Sequence, residues 1–223
     1  MPRTPPPRPV GRPRALPQSV SDDVGEEILM AAAGLFEHNG YTATSTRMIA
    51  AEVGLRQASL FHYFARKEDI LTELLDRTVR PPLEMARRQA LEHYDPATAL
   101  WHLTRQDVAN LCRGPHNLGA LQLLPEARSG TQFDWFWRRR NQLFRVYGRL
   151  IARGCATGDF PYADSSGSVE VVFGLVESVI TARPSFRRRS TTPAVIADAA
   201  LRVCGVAPGR ARSVARTADQ RSE

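Results

Sequence analysis

The sequence predicts an all-α protein in which a small helical domain precedes a larger one. Three observations predict this: apolar residues recur at helical spacing along most of the chain, glycines and prolines interrupt that pattern, and no hairpin signal or internal repeat stands out. The two ends differ in composition from the middle. The predicted divisions are an Arg/Pro-rich arm over 1–20, a small domain over 21–66, a larger domain over 67–204 and a loose tail over 205–223.

The composition is that of a soluble globular protein, with 43% hydrophobic and 24% charged residues among 223. No apolar run reaches the length of a membrane-spanning helix, and proline rather than an apolar core follows the basic N-terminus, so neither a membrane span nor a secretory signal is predicted. The three cysteines are widely separated and odd in number, which favours small buried residues in the reducing cytoplasm of a bacterium.

The chain lacks the short motifs of common enzymes. It contains no glycine-rich phosphate loop, no G-x-S-x-G turn, no H-E-x-x-H helix and no paired metal ligands. An enzyme is therefore not predicted, and neither is a cofactor or a metal.

The first predicted helix begins near Ser21, where a capping residue and two acids suit a helix N-terminus, and it ends at Gly40. The fourth begins at Lys67 and is predicted to end before Pro81-Pro82, because proline disrupts a helix interior. Beyond the prolines, helices are predicted at 83–94, 97–113, 117–127, 131–157, 165–183 and 193–204. The valine-rich segment 165–183 could be a strand, but its length and its serine cap favour a helix.

Between the first and fourth helices, two short helices are predicted on either side of Gly54. A helix-turn-helix needs a small residue on its first helix, a turn residue with positive φ and apolar residues that lock the pair together. Ala50, Gly54 and Leu60 supply these features at the expected offsets.

The run from Ala32 to Ile70 closely resembles the N-terminal domain of the tetracycline-repressor (TetR) family. The matching positions are Leu35-Phe36, Gly40-Tyr41, Thr44-Ser45, Ile49-Ala50, Gly54, Leu60-Phe61, Phe64 and Lys67-Glu68. The resemblance implies a three-helix, helix-turn-helix DNA-binding domain followed by a larger helical domain for ligand binding and dimerisation. It also implies a repressor that binds a palindromic operator in double-stranded DNA as a homodimer and is released by a small apolar or aromatic effector.

The resemblance assigns roles on DNA residue by residue. Phosphate contacts fall to Thr44, Ser45, Arg47, His62, Tyr63 and Lys67, and base contacts in the major groove to Arg56, Gln57 and Ser59. Without the motif, a solvated face would be the better interpretation of these residues. Residues 21–80 carry six basic and ten acidic residues, so attraction to DNA has to come from a few local cations. Three residues depart from the family pattern: Arg56 replaces a serine cap, Ala58 stands where glycine is common, and Phe61 replaces a tyrosine whose hydroxyl often meets phosphate.

The arm over 1–20 contains seven prolines, four arginines and no acidic residue, and it is predicted to be disordered. Its segment 10–14 (VGRPR) resembles the Gly-Arg-Pro core of an AT-hook, which lies in a narrow A/T minor groove. Arg12 and Arg14 are the candidate contacts there, and a solvated tail is the alternative.

In the larger domain, the segment near 165–183 is apolar nearly all round, which predicts burial against a partner as well as its own core. Dimerisation through this segment and 138–157 is the leading interpretation. The candidate effector-pocket residues are Met85, Trp101, His102, Leu121, Leu124, Phe133 and Trp137. For each of them ordinary core packing is the more frequent role. A ligand-independent or activating regulator with a filled core is therefore the alternative function.

Overall fold

The computed structural model describes residues 18–88, 94–161, 163–164, 166–186, 192–211 and 213–214, and all regular structure in these ranges is helical. The predicted all-α class is thus confirmed. The α-helices are α1 (Gln18–Asn39), α2 (Thr46–Glu52), α3 (Gln57–Leu60), α4 (Lys67–Arg88), α5 (Pro96–Leu111), α6 (Pro125–Ser129), α7 (Asp134–Ala156), α8 (Gly167–Phe186) and α9 (Thr192–Val203). Short 3₁₀ helices, Leu118–Leu123 and Thr131–Phe133, precede α6 and α7.

Helices α1 to α3 form a small domain around a core that α4 completes. Ile28 and Phe36 of α1, Ile49 of α2 and Leu60 of α3 are buried, because each lies on the apolar face of its helix. Helix α4 contributes Ile70 to this core, and α4 also packs against α5 and α7 of the larger domain. One continuous helix therefore serves both cores.

The prediction that Pro81-Pro82 end the fourth helix is wrong, since α4 continues through both to Arg88. Each proline removes an N–H, which leaves the carbonyls of Arg77 and Thr78 without their usual donors. The side-chain amide of Asn110 on α5 donates to both, at 3.0 and 3.3 Å. A tertiary contact thus compensates for the loss that makes proline a helix breaker.

Helix α5 lies at the centre of the larger domain and packs against α4, α7, α8 and α9. It begins with Asp95 as N-cap, whose carboxylate accepts from the N–H of Thr98, and with Pro96 in the first turn. Most of its residues are buried, including His102 and Asp107, so this helix is surrounded by protein.

The segment 165–183, which could have been a strand, is the helix α8, so that prediction is confirmed. The segment 117–127 is a 3₁₀ helix followed by α6, because Pro125 begins a new helix after the extended residue Leu124. In the tail over 205–223 the structure places Ala211 and Val214 in the core. The ordered fold therefore extends beyond residue 204, although 215–223 lie outside the described residues.

The arm residues Arg12 and Arg14 also lie outside the described residues, and α1 begins at Gln18, three residues before the predicted start. Among the helices that the structure describes, none combines the length and the apolar character needed to cross a membrane.

Candidate nucleic-acid interface and effector cavity

The turn between α2 and α3 has the geometry that the helix-turn-helix motif predicts. Gly54 has φ +67°, a conformation that side-chain-bearing residues rarely adopt. The N–H of Leu55 donates to the carbonyl of Ala50 at 2.8 Å, which closes the turn. Ser45 caps α2, since its hydroxyl accepts from the N–H of Met48 at 3.2 Å.

One surface of this domain combines the N-terminal part of α2 with α3 and the turn after it. Its exposed members are Ser45, Arg47, Met48, Arg56, Gln57, Phe61 and His62. The two helices are linked across this surface, because the amide Nε2 of Gln57 donates to Oγ1 of Thr46 at 2.8 Å. Ser59 and Tyr63 are half-buried beside it. We call this set the recognition surface.

Two residues that the sequence assigned to phosphate form hydrogen bonds inside the domain. Thr44 is buried, and its hydroxyl donates to the carbonyl of Gly40 at 2.8 Å. Lys67 lies over the ring of Tyr41, and its Nζ donates to the carbonyls of Tyr41 and Thr44 at 2.7 and 2.8 Å. These contacts tie the turn before α2 to the first residue of α4. Thr44 and Lys67 therefore hold the domain together.

The recognition surface also exposes two large apolar residues that the sequence analysis did not name among its candidate DNA contacts. Met48 and Phe61 keep 38% and 44% of their surface exposed, which is unusual for large apolar side chains. Exposed apolar side chains of this kind have the chemistry to contact the methyl group of thymine. The sequence signal for Met48 was its position one residue after Arg47 on α2, but only the structure shows which way it faces.

The structure separates the seven predicted effector-pocket residues. Trp101 and Phe133 are buried, and the indole N–H of Trp101 donates to Asp198 of α9 at 2.9 Å. His102 and Leu121 are also buried, whereas Met85, Leu124 and Trp137 are half-buried. Of the seven, Trp137 lines a cavity of about 390 Å³ at the surface of the larger domain. Its other lining residues are Gln122, Leu123, Arg128, Arg140 and Glu177. We call it the outer cavity.

A smaller inner cavity of about 30 Å³ continues behind the Arg140–Glu177 ion pair. Arg140 donates from Nε to Oε1 of Glu177 at 2.8 Å, and its guanidinium lies 5.0 Å from the ring centre of Phe173. This cation therefore stands between the two cavities, held by a carboxylate and an aromatic face.

Asp107 lies at the inner end, fully buried, and accepts a hydrogen bond from the hydroxyl of Tyr147 at 3.0 Å. Burial raises the pKa of Asp107 to about 7, although the Tyr147 hydrogen bond opposes this. Burial and the neighbouring Asp107 also raise the pKa of Tyr147 well above its usual value. The pair can therefore change its proton count near neutral pH, and sequence periodicity gave no sign of it.

Side-chain contacts join the two domains, in addition to the continuous backbone of α4. Thr42, in the turn before α2, donates a hydrogen bond to the carboxylate of Glu126 on α6. This bond is the largest of the causes that lower the pKa of Glu126. His116 lies 3.4 Å from Glu37 of α1, and Arg77 pairs with Glu26 of α1 at 2.7 Å. The domains are therefore in direct side-chain contact.

The N-terminal domain matches a family of known proteins. A sequence model of the bacterial regulatory proteins of the tetR family matches residues 28–74. The crystal structure of AmtR from Mycobacterium smegmatis is similar over 88% of this chain and 93% of its own, with 44% identity and a TM-score of 0.79.

Two further comparisons are more distant. The transcriptional repressor KstR2 of Mycobacterium tuberculosis is 32% identical over 104 residues, which cover 38% of this chain and 52% of that repressor. The chain thus spans about half the length of this curated relative. AibR, solved with isovaleryl coenzyme A and operator DNA, superimposes with a TM-score of 0.63 over 79% of this chain and 95% of its own at 21% identity, which shows the shared fold.

Proposed function

The chain belongs to the TetR family of bacterial regulatory proteins, and from that premise we propose that it is a transcriptional repressor that binds operator DNA as a dimer. The observation that carries this proposal is the recognition surface itself. It presents Arg47, Arg56 and Gln57 from a helix-turn-helix whose glycine turn and serine cap have the required geometry.

Contacts with bases fall to α3 and to its N-cap residue, Arg56. Arg56 is exposed at the N-cap of α3 and can donate two hydrogen bonds to a guanine edge. Gln57 uses Nε2 to hold Thr46, which leaves its carbonyl oxygen and its other amide hydrogen for a base. Ser59 lies half-buried at the margin of the recognition surface, and its short side chain can contact only a base that lies directly against α3.

Contacts with phosphate fall to the exposed residues around α3. Ser45, Arg47 and His62 are exposed, and Tyr63 is half-buried with a hydroxyl that can donate. We leave Thr44 and Lys67 out, because their polar groups already bond inside the domain. Few cations remain, so affinity should depend strongly on each of them.

We propose α7 and α8 as the dimer interface. Helix α8 buries Val172, Val176 and Ile180 in its own domain but leaves Val171 52% exposed. A side chain placed at Gly174 would meet nothing within 4 Å, so this face of α8 is open to a partner helix. Two recognition surfaces held about one DNA turn apart would then match a palindrome.

An effector is the second part of the proposal, and the outer cavity is its candidate site. A neighbour of similar fold, AibR, was crystallised with an acyl coenzyme A and DNA. A ligand-independent or activating regulator stays the second candidate, favoured by the inner cavity of only about 30 Å³. In either case we place the protein in the bacterial cytoplasm, associated with the nucleoid when it is bound to DNA.

The test is to select bound sequences from fragmented genomic DNA of the host and to titrate the recovered fragment in a mobility-shift assay. We expect a palindromic fragment that binds with two protomers. The variant Arg56→Ala should lose or change sequence preference, whereas the control Arg202→Ala, an exposed arginine of α9, should not. Recovery of no enriched fragment by the folded dimer would contradict the proposal.

A further inference from the structure

We infer that α6 couples the outer cavity directly to the helix-turn-helix and that the outer cavity binds a planar organic carboxylate. The inference rests on the proposed DNA-binding function for its second half. The observation behind it is that three consecutive residues of α6 have three different roles. One contacts the turn before α2, the next bonds to Trp137 in the wall of the cavity, and the third lines the cavity.

The three contacts follow one another along the chain. Glu126 accepts the hydrogen bond of Thr42 in the DNA-binding domain. The carbonyl of Ala127, which is buried, accepts from the indole N–H of Trp137 at 2.8 Å. Arg128 is exposed and lines the outer cavity. Trp137 therefore holds α6 at Ala127, and α6 contacts the DNA-binding domain at Glu126. A displacement of Arg128 acts on this same short helix.

Charge in the outer cavity favours an anion. Two guanidinium groups, those of Arg128 and Arg140, face one carboxylate, that of Glu177. Arg140 pairs with Glu177, whereas Arg128 forms no ion pair with any residue in the described ranges. An anion that contacts Arg128 thus gains a charge-assisted hydrogen bond without breaking an existing ion pair.

The side chains that line the cavity favour a planar carboxylate. A guanidinium fork matches the two oxygens of a carboxylate in one plane. The half-buried indole of Trp137 forms the adjacent wall, so a flat ring beside the carboxylate can lie against it. The inner cavity, with about 30 Å³, is too small for such a ring, which keeps the ligand in the outer cavity.

Movement of α6 would displace the turn before α2, which Glu126 contacts through Thr42. Thr42 lies in the turn before α2, and Lys67 ties the same turn to α4 through the carbonyls of Tyr41 and Thr44. The charge of Lys67 also lowers the pKa of Glu126, so the two are close enough to attract each other. In this proposal an anion that binds Arg128 shifts α6, and the shift changes the contact between Glu126 and this turn. The anion changes the affinity for DNA only if it binds the protein with α6 displaced more tightly than the protein with α6 in place.

The binding half is tested with three ring compounds of one shape and different charge: benzoate, benzamide and benzamidinium. The readout is the indole N–H signal of Trp137 in the two-dimensional NMR spectrum of the full chain, assigned with Trp137→Phe. We expect benzoate to shift this signal saturably and the other two compounds not to. Arg128→Gln should weaken benzoate binding at least about tenfold, whereas Arg138→Gln should leave it unchanged. Equal binding of benzamide, or an unaffected Arg128→Gln, would overturn the site.

The coupling half uses Thr42→Val, which removes the donor from an exposed side chain and should leave the fold intact. We expect saturating benzoate to weaken operator binding by the wild type at least about fivefold, a typical allosteric coupling. In Thr42→Val and Glu126→Gln this effect should fall to less than half, with benzoate affinity unchanged. The control Thr157→Val, at the exposed end of α7, should respond as the wild type does.

The outcomes separate the two proposals. A full benzoate response in Thr42→Val would overturn the coupling through α6. A protein that binds no DNA even without benzoate would overturn the proposed function and with it the coupling, while the Trp137 signal would still decide the anion site.

Discussion

The side-chain amide of Asn110 donates to the carbonyl oxygen of Arg77 at 3.0 Å, across the boundary between α5 and α4. This carbonyl would normally accept from residue 81, which is a proline. The same amide reaches the carbonyl of Thr78 at 3.3 Å, which Pro82 leaves without its donor in the same way. Asn110 therefore holds α4 at the point where the helix passes from one domain to the other.

Asn110→Ala should lower the free energy of unfolding by about 1–2 kcal/mol, because two carbonyls lose their donor. The effect should depend on the prolines. In a Pro81→Ala/Pro82→Ala background the backbone N–H groups return, and the cost of Asn110→Ala should fall below about 0.5 kcal/mol. Urea denaturation measures this double-mutant cycle in the wild type, Asn110→Ala, the Pro81→Ala/Pro82→Ala protein and the protein with all three replacements. An equal cost in both backgrounds would mean that Asn110 stabilises the fold in some other way.

Arg47 and Arg56 should respond differently to replacement, although both are exposed arginines of the recognition surface. Arg47→Ala removes a proposed phosphate contact, so affinity should fall similarly for all sequences and the salt slope should decrease by about 1. Arg56→Ala removes a proposed base contact and should cost about 1–3 kcal/mol on the operator while relaxing specificity at one position. Mobility-shift titrations at several salt concentrations distinguish them, with Arg202→Ala on α9 as control. Identical behaviour of the two variants would contradict the assigned roles.

Stability should depend on pH through Asp107. Burial raises its pKa from 3.8 to about 7, so between these values the folded protein keeps a proton that the unfolded chain releases. The free energy of unfolding should therefore fall as pH rises from about 4 to about 7, then level off. Asp107→Asn removes the titrating group but keeps an oxygen for Tyr147. It should flatten this dependence and stabilise the protein at pH 8 by about 2–4 kcal/mol. Denaturation at pH 5 and pH 8 provides the measurement, and parallel pH profiles of the two proteins would refute the assignment.

Val171→Glu should shift the protein from dimer to monomer, because it places a charge on the exposed apolar position of the proposed interface. Operator binding should weaken in parallel, since one protomer reaches only one half-site. Val195→Glu makes the same change at a valine of α9 that is 57% exposed and outside the proposed interface. Sedimentation equilibrium reports the oligomeric state. Dimerisation equal in the two variants would place the interface elsewhere.

Local patterns predicted the helix-turn-helix well because its determinants lie close together in the chain. Positive φ at Gly54 and the cap at Ser45 each follow from the chemistry of one residue and its neighbours. The TetR resemblance depends on the same stretch, and its family assignment is confirmed. The burial of Thr44 and the hydrogen bonds of Lys67 to the turn before α2 were not predicted, because they depend on contacts with the first turn of α4.

The sequence by itself determined the all-α class, the order of most helices and the position of the recognition surface, since these depend on hydrophobic spacing and turn chemistry within a few residues. The tertiary structure alone decided that α4 passes through two prolines, that Asp107 and Tyr147 form a buried pair, and that Glu126 meets Thr42. These partners lie 33, 32, 40 and 84 residues apart. Such pairings arise only when α4, α5, α6 and α7 pack together, because a hydrogen bond depends on distance in space and no local pattern encodes it.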